Sequence, residues 1–357
     1  MMLLSAFKES DPGVQIRYRM DSGIFSVQSL KAKTLVTQAL IRELLYADDC
    51  AIVAHSEKDL QSLTDSLSAA TKRFGLTISI KKTEVLFQPA KGSSAPAPSI
   101  KIDDKTLNTV ESFTYLGSKI SSSGSFDKEI SNRIAKASSS YGRLTKRVWS
   151  NRGLKLETKC AVYRAVVLSA LLYGCESWTL YRRHVKTLEQ FHQRCLRRIM
   201  SIKWYDRVSN FSVLNLAKMP SVDALLMNAQ LRWSGHLVRM EEDRLPKQLF
   251  YSELTQGQRG RGRPKLRYKD NLKKSLQNCN IDTTEWECLA GNRSEWRSAV
   301  HKGIKNYETE RQKDHERKRE RTKERALNAE RSVSCPLCGR LCASDFGLRS
   351  HMRIHSR

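Results

Sequence analysis

Residues 44–53 read Leu-Leu-Tyr46-Ala47-Asp48-Asp49-Cys-Ala-Ile-Val, two short apolar runs joined by an acidic tip and flanked by polar sequence. Apolar runs around a tight turn predict a β-hairpin. Adjacent carboxylates at its tip are oxygen ligands well placed for a divalent cation. A metal-bearing hairpin points to phosphoryl transfer. Because Asp-Asp also occurs in ordinary turns, the tetrapeptide alone leaves a plain surface turn as the alternative. The residues that follow decide between the two.

Residues 57–74 place Leu60, Leu63, Leu67, Ala70 and Phe74 at helical spacing, an amphipathic helix able to pack on a sheet, and Gly75 ends it. Residues 76–87 (Leu-Thr-Ile-Ser-Ile-Lys-Lys-Thr-Glu-Val-Leu-Phe) read as strand, basic turn, strand. Farther on stands Phe113-Thr114-Tyr115-Leu116-Gly117-Ser118. In this order the segments resemble the reverse transcriptases of non-LTR (LINE-like) retrotransposons. Tyr46-Ala47-Asp48-Asp49 resembles the catalytic turn of the palm. Gly75, Leu76, Ile78, Lys82 and Thr83 match the family's next palm motif, Gly-Leu-x-Ile-Asn-x-x-Lys-Thr, while Ser79 stands where the family has Asn. Tyr115-Leu116-Gly117 resembles the segment leading from palm to thumb. The resemblance implies catalytic roles for Asp48, Asp49 and Lys82, with Asp48 and Asp49 holding magnesium in an intact palm.

That chemistry uses two metals about 3.5–4 Å apart, which calls for a third, upstream carboxylate. Forty-five residues precede Tyr46. Their aspartates, Asp11 in Glu9-Ser10-Asp11-Pro12-Gly13 and Asp21 in Met20-Asp21-Ser22-Gly23, sit in turn contexts instead of an apolar strand. The expectation is therefore a C-terminal part of such an enzyme, lacking fingers, first metal aspartate and endonuclease, and inactive alone.

The net charge of +26 over 357 residues predicts a polyanion partner, RNA and DNA by default. No apolar run reaches the length of a membrane span, and Met1 to Phe7 is apolar too briefly for a signal peptide. No membrane partner is expected, and the resemblance implies no small-molecule substrate beyond deoxynucleotides. The nine cysteines are odd in number, and Cys50, Cys160, Cys175, Cys195, Cys279 and Cys288 lack paired spacing. Reduced thiols in nucleus or cytosol follow.

With the compositional breaks, the resemblance implies a partial palm (1–118) and a helical thumb and post-thumb region (119–255), followed by a basic Arg-Gly segment with helices (256–300), a charged helical spacer (301–334) and a terminal finger (335–357). Residues 90–99 read as a small-residue linker or surface loop. Ile130, Ile134, Ala137, Tyr141 and Leu144 form one helical stripe, and Leu156, Cys160, Tyr163, Val167, Ala170 and Leu171 another. Helices are also predicted over 185–200 and 221–240. The first of these carries Leu188, Phe191, Cys195 and Ile199 beside Arg194, Arg197 and Arg198, a face that either meets phosphates or is merely solvated. Residues 173–178 (Tyr-Gly-Cys-Glu-Ser-Trp) and 232–240 (Arg-Trp-Ser-Gly-His-Leu-Val-Arg-Met) resemble further family segments without assignable chemistry. His236 reads as a packed or capping histidine. Arg259, Arg261, Arg263 and Lys265 lie in Gln-Arg-Gly-Arg-Gly-Arg-Pro-Lys, which resembles an AT-hook; a nonspecific phosphate contact is the favoured reading. In the spacer, Glu310/Lys313, Asp314/Arg317, Glu316/Arg319 and Glu320/Lys323 are spaced to pair along a helix.

Cys335, Cys338, His351 and His355 are separated by two, twelve and three residues, the spacing of a tetrahedral zinc site in a small ββα finger. Cys342 takes the usual aromatic core position, so Phe346 is expected to fill the core, with Cys342 a poorly spaced rival ligand. The base-facing positions are Ser344, Gly347 and Ser350, too short for bidentate reading, whereas Arg349 and Arg353 suit phosphates. The predicted fold is thus α+β: a partial reverse-transcriptase palm of antiparallel β-hairpin plus helix, a mainly helical thumb-like region and a ββα zinc finger. Two functions remain open, a retroelement polymerase part and a stand-alone zinc-finger nucleic-acid-binding protein of retroelement origin.

Overall fold

Short strands dominate the first third of the chain and helices the remainder, a mixed α and β architecture. The computed structural model describes residues 7, 12–32, 34–89, 96–255, 262, 264–328 and 333–355. They fall into two units, Met1–Ile304 and Lys305–Arg357.

In the first unit β1 (Val14–Tyr18) pairs antiparallel with β2 (Thr37–Ile41). The acidic hairpin follows as β3 (Glu43–Tyr46) and β4 (Asp49–Ile52). Helix α1 (Glu57–Arg73) is specified at both ends: the Ser56 side chain accepts from the Asp59 N–H, acids fill the first turn, Lys72 and Arg73 the last, and Gly75 leaves at φ +69°. These residues satisfy orphan N–H groups and complement the helix dipole. Leu67 and Ala70 of α1 are buried against Cys50 and Ile52 of β4, and strand alternation turns Asp49 and Ala51 to the other face. Phe74, expected on the buried stripe, is 54% exposed because it caps the helix where the chain turns away.

Residues 76–79 form no ladder, correcting the expected strand, turn, strand to a turn and one strand. The Ser79 carbonyl accepts the N–H groups of both Lys82 and Thr83, which winds 79–83 into a turn before β5 (Glu84–Leu86) begins. A small hairpin, β6 (Lys101–Ile102) and β7 (Lys105–Thr106), leads to β8 (Asn108–Val110), which pairs parallel with β5. β9 (Ser112–Tyr115) and β10 (Ser118–Ser121) make a second tight hairpin, with Leu116 at φ +48° and Gly117 at φ +79°. Positive φ at both turn residues matches the twist of the strands, and glycine adopts it without steric cost.

The predicted stripes then converge. α2 (Asp127–Arg143), α3 (Leu156–Val162), a π-helical continuation (Tyr163–Leu168) into α4 (Ser169–Leu171), α5 (Arg182–Ile199), α6 (Asn210–Ala217) and α7 (Val222–Val238) share one core. Ile130, Ala137, Tyr141, Cys160, Tyr163, Val167, Leu171, Leu188, Phe191, Cys195 and Ile199 are buried there. Leu156, at the open first turn of α3, is 37% exposed.

A second core joins distant parts of the sequence. α8 (Leu245–Tyr251), β11 (Glu253–Leu254), α9 (Tyr268–Asn278), α10 (Trp286–Gly291) and the start of α11 (Arg293–Asn328) gather around Trp286 and Trp296 together with Ile24 and Leu231. β11 pairs with β1, Leu254 opposite Ile16, giving the sheet order β11-β1-β2. Glu287 accepts from the Ile24 N–H at 2.8 Å and the Tyr251 hydroxyl at 3.0 Å. The 232–240 segment acquires a physical role here. A Cβ at Gly235 would lie 2.2 Å from Trp296 Nε1, whose N–H donates to the Leu231 carbonyl at 3.0 Å. His236 is exposed in the last turn of α7, its ring 5.5 Å from that of Trp233.

In the second unit α11 carries the Lys313–Glu310 pair at 2.9 Å and the Arg317–Asp314 pair. The expected Glu316/Arg319 and Glu320/Lys323 pairs do not form among the described residues; Glu316 accepts from Gln312 instead, at 3.0 Å. β12 (Val333–Ser334) and β13 (Leu341–Cys342) pair antiparallel, and α12 (Asp345–Met352) follows, with the Ser344 hydroxyl accepting from the Gly347 N–H. Phe346 is 82% exposed, which overturns its expected place in the core. It stands in the first turn of α12, while the interior is taken by Cys335, 2% exposed, with the Met352 sulfur 3.7 Å from its Sγ. Among the described residues no helix is long and apolar enough to cross a membrane.

Candidate functional site

The acidic tip is a two-residue turn, Ala47 and Asp48, between paired Tyr46 and Asp49. Ala47 holds φ +52°, a conformation costing about 1–2 kcal/mol for a residue with a Cβ. Asp48 and Asp49 are exposed, and Tyr46 is 65% exposed beside them. Beneath the tip the environment is apolar: burial, reinforced by Glu43, pushes the Cys50 thiol up to about 11.

The Tyr115 hydroxyl donates to the Leu44 carbonyl at 3.0 Å, fastening the β9–β10 hairpin to β3. Burial, with Cys50 and Asp49 nearby, raises the Tyr115 phenol above its ordinary value. The turn that follows Tyr115 is held by a buried ion pair on α2. Arg133 Nε donates to Glu129 Oε1 at 2.6 Å, and both side chains are nearly inaccessible, at 4% and 2%. Arg133 Nη2 donates to the Gly117 carbonyl at 2.6 Å and to the Ser118 hydroxyl at 3.2 Å. Glu129 Oε2 accepts the Lys119 N–H at 2.6 Å. Tyr173 lies under the guanidinium at 4.6 Å, and its hydroxyl donates to the Leu116 carbonyl at 3.2 Å. Such a pair survives burial because almost every polar atom has a partner. The Tyr173 segment, a resemblance without chemistry in the sequence, is thus part of a clamp on the Leu116-Gly117 turn. Glu129 and Arg133 escaped sequence reading; their i,i+4 spacing beside Ile130 and Ala137 was the available signal.

Lys82 is exposed in the Ser79–Thr83 turn, and no ion pair joins it to Asp48 or Asp49. Arg194 and Arg198 are exposed on α5, whereas Arg197 donates to the Val208 carbonyl at 2.8 Å and to Asn210 Oδ1 at 2.9 Å. Lys265 Nζ donates to the Ser123 carbonyl at 2.6 Å. Arg259, Arg261 and Arg263 lie outside the described residues. Arg349 and Arg353 are exposed at α12.

The second constellation does assemble. Cys335, Cys338, His351 and His355 each offer a ligand atom, and all four atoms lie within 4.8 Å of one another. Cys338 Sγ is 3.1 Å from His351 Nε2, His351 Nε2 is 3.1 Å from His355 Nε2, and Cys335 Sγ is 3.6 Å from His355 Nε2. A tetrahedral zinc with ordinary bond lengths sets its ligand atoms roughly 3.3–3.8 Å apart, so this donor set fits one ion. Burial alone would raise the Cys335 thiol, but the Leu337 and Cys338 N–H groups and the Cys338 side chain bring it below the ordinary thiol value. Burial, His355 and Arg340 hold the His351 imidazole below its usual value, favouring the neutral ligand form. Cys342 is not in the group. Ser344, a base-facing position by sequence, is occupied as the α12 cap. At the acidic tip, by contrast, no third ligand-type side chain gathers with Asp48 and Asp49 among the described residues.

The profile of the reverse transcriptase (RNA-dependent DNA polymerase) family matches residues 26–120, a span that holds the acidic hairpin, the Lys82 turn and the Tyr115-Leu116-Gly117 hairpin. The chain is also similar to a transposon-derived protein of Caenorhabditis elegans, 24% identical over 278 residues, covering 74% of this chain and 97% of that protein. Both comparisons support a reverse transcriptase-like protein of retrotransposon kind.

Proposed function

We propose that the first unit carries the palm of a non-LTR (LINE-like) retrotransposon reverse transcriptase followed by a thumb-like helical region, and that the second ends in a zinc finger, the whole acting on RNA and DNA in nucleus or cytosol. One observation carries this reading: within the span 26–120 that matches the family, two hairpins touch, with Tyr115 of one bonded to the backbone of the strand that leads into Asp48 and Asp49. Lys82 belongs to the same palm and serves through its exposed turn. Cys335, Cys338, His351 and His355 hold zinc, which supplies a cross-link between the β-hairpin and α12. Arg194, Arg198, Arg349 and Arg353, with Arg259, Arg261, Arg263 and Lys265, contact phosphates, so binding falls steeply with salt.

Because Asp48 and Asp49 stand without a third carboxylate among the described residues, the chain alone does not extend a primer. The test is a purified chain given primed RNA, magnesium and deoxynucleotides. No product is expected, and synthesis that disappears in Asp48→Ala would overturn the inactivity while supporting the palm. Adding in trans the upstream segment of an intact relative should restore synthesis in a manner dependent on Asp48. The contrast between a complete four-donor cluster and a lone carboxylate pair favours a second reading, a stand-alone zinc-finger nucleic-acid-binding protein of retroelement origin. There, complementation fails while salt-sensitive binding persists.

A further inference from the structure

Between α5 and α6 the chain does something that its stability does not require. Trp204 is 88% exposed and Tyr205 62% exposed, side by side, with ring centroids 5.8 Å apart at a steep 72°. A buried aromatic ring would remove about 150–250 Å² from water, so two adjacent rings left outside forgo a large stabilisation. The loop is nevertheless firmly built. At its start the Ser201 N–H donates to the Arg198 carbonyl and the Ile202 N–H to the Arg197 carbonyl, with Ser201 at φ +57°. In its middle the Asp206 carboxylate accepts the Lys203 N–H at 2.7 Å, closing the single turn Trp204–Asp206. At its end Arg207 stands at φ +52°, and the Arg197 guanidinium grips the Val208 carbonyl and Asn210. Both ends are therefore tied to α5, and the rings are held outward by backbone geometry.

The charge around the rings is predominantly positive. Arg194 and Arg198, one turn apart on α5, and Lys203 and Arg207 in the loop are all exposed, and none of them makes an ion pair among the described residues. Against these four cations the loop sets one acid, Asp206, whose carboxylate is oriented by the Lys203 N–H. Flat rings set among free cations are the two components by which proteins hold single strands: bases stack on the aromatic faces and the cations follow the phosphates. A duplex offers phosphates but keeps its bases stacked inside. Trp, Tyr and Arg also anchor protein interfaces, an occupant that the experiment below separates from a strand.

We propose that the Lys203–Arg207 loop, with Arg194 and Arg198, is a stacking site for unpaired nucleotides of RNA or DNA. This rests on the nucleic-acid-binding function proposed above and adds where and in what form the strand is held. One or two bases lie on Trp204 and Tyr205, and the adjacent phosphates meet Arg198, Lys203 and Arg207. The contact is tolerant of sequence because every base has a stacking face. Arg197 positions the loop and does not touch the strand.

The experiment uses the full chain and fluorescein-labelled oligonucleotides, one single-stranded and one duplex of the same length, read by anisotropy at two salt concentrations. Changing Trp204 and Tyr205 together to Ala is expected to weaken single-strand binding by about tenfold or more and duplex binding by less than about twofold. Trp204→Phe, which keeps a stacking face, should retain most of the affinity. Arg198→Ala with Arg207→Ala should weaken both substrates and lower the salt slope by about two. Since these side chains are exposed, thermal unfolding should be unchanged in every variant. If the wild type binds neither oligonucleotide, the nucleic-acid reading fails and takes this site with it. If the wild type binds and the Trp204/Tyr205 double variant binds single strands equally well, this site alone is overturned. Loss of self-association in the double variant without loss of oligonucleotide binding would likewise overturn it, by showing the rings to be a contact between copies.

Discussion

At the acidic hairpin the ligand-type side chains stand in solvent while what supports them is buried; at the Cys/His cluster the donors assemble with almost nothing beneath them. Asp48 and Asp49 sit on a turn backed by α1, by the Tyr115 bond and by the Glu129–Arg133 clamp on the neighbouring hairpin. The cluster sits in a ββα unit whose Leu337, Leu341, Phe346 and Ile354 are all more than half exposed. One site has support and too few donors; the other has its donors and too little support. Positioning can thus come from a core that exists before any ion binds, or from the ion itself.

The largest effect separates these two sources. Stripping metal from the full chain, or introducing His351→Ala, should unfold the ββα unit, since structural zinc supplies on the order of 10–16 kcal/mol in such small units. Cobalt substitution should give a two-thiolate, two-imidazole tetrahedral spectrum, lost in His351→Ala and kept in Cys342→Ala. If Cys342→Ala abolishes it, the ligand set is wrong. The main thermal transition of the first unit should not move on chelation; a large shift would end the contrast.

Next in size is the clamp. Glu129→Ala leaves Arg133 charged and buried, which should cost about 3–5 kcal/mol, whereas Glu129→Gln should cost less by keeping one acceptor. Chemical denaturation measures this, and a loss under about 1 kcal/mol would mean that the pair does not hold the hairpin. Gly235→Ala tests the second core. Helix propensity favours alanine by roughly 0.5–1 kcal/mol. However, a Cβ at 2.2 Å from Trp296 Nε1 forces a buried ring from its hydrogen bond, and overpacking of about 1–3 kcal/mol should win. A stabilised variant would refute that packing. Smallest is Tyr115→Phe, which removes one bond to Leu44 and should cost about 0.5–1.5 kcal/mol. Its sharper readout is amide exchange, faster at residues 44–49 with little change at α12; uniform exchange would disconnect the two hairpins.

Much of the candidate chemistry was legible before folding because it depends on short spacing. The Asp48-Asp49 tip, the ends of α1 and the ββα ligand intervals are local patterns, and each formed where expected. Residues 76–79 misled because alternating apolar residues also suit a segment anchored by Ile78 and Ile80 that turns at Ser79. Phe346 misled because one aromatic near an expected core position says nothing of which way its helix faces.

What the sequence by itself determined is therefore the set of local devices: caps, two-residue turns, apolar stripes and metal-ligand intervals, all set within a few residues by dihedral preference and helix or strand period. Only tertiary structure decided that residues 253–254 complete the sheet begun at 14–18, that Glu287 receives the Ile24 N–H, and that Arg133 closes over Gly117. Those pairings join residues far apart in sequence, and no local preference encodes them. They are chosen because burying the apolar stripes leaves polar atoms inside, and each such atom must find a partner wherever the packed chain happens to place one.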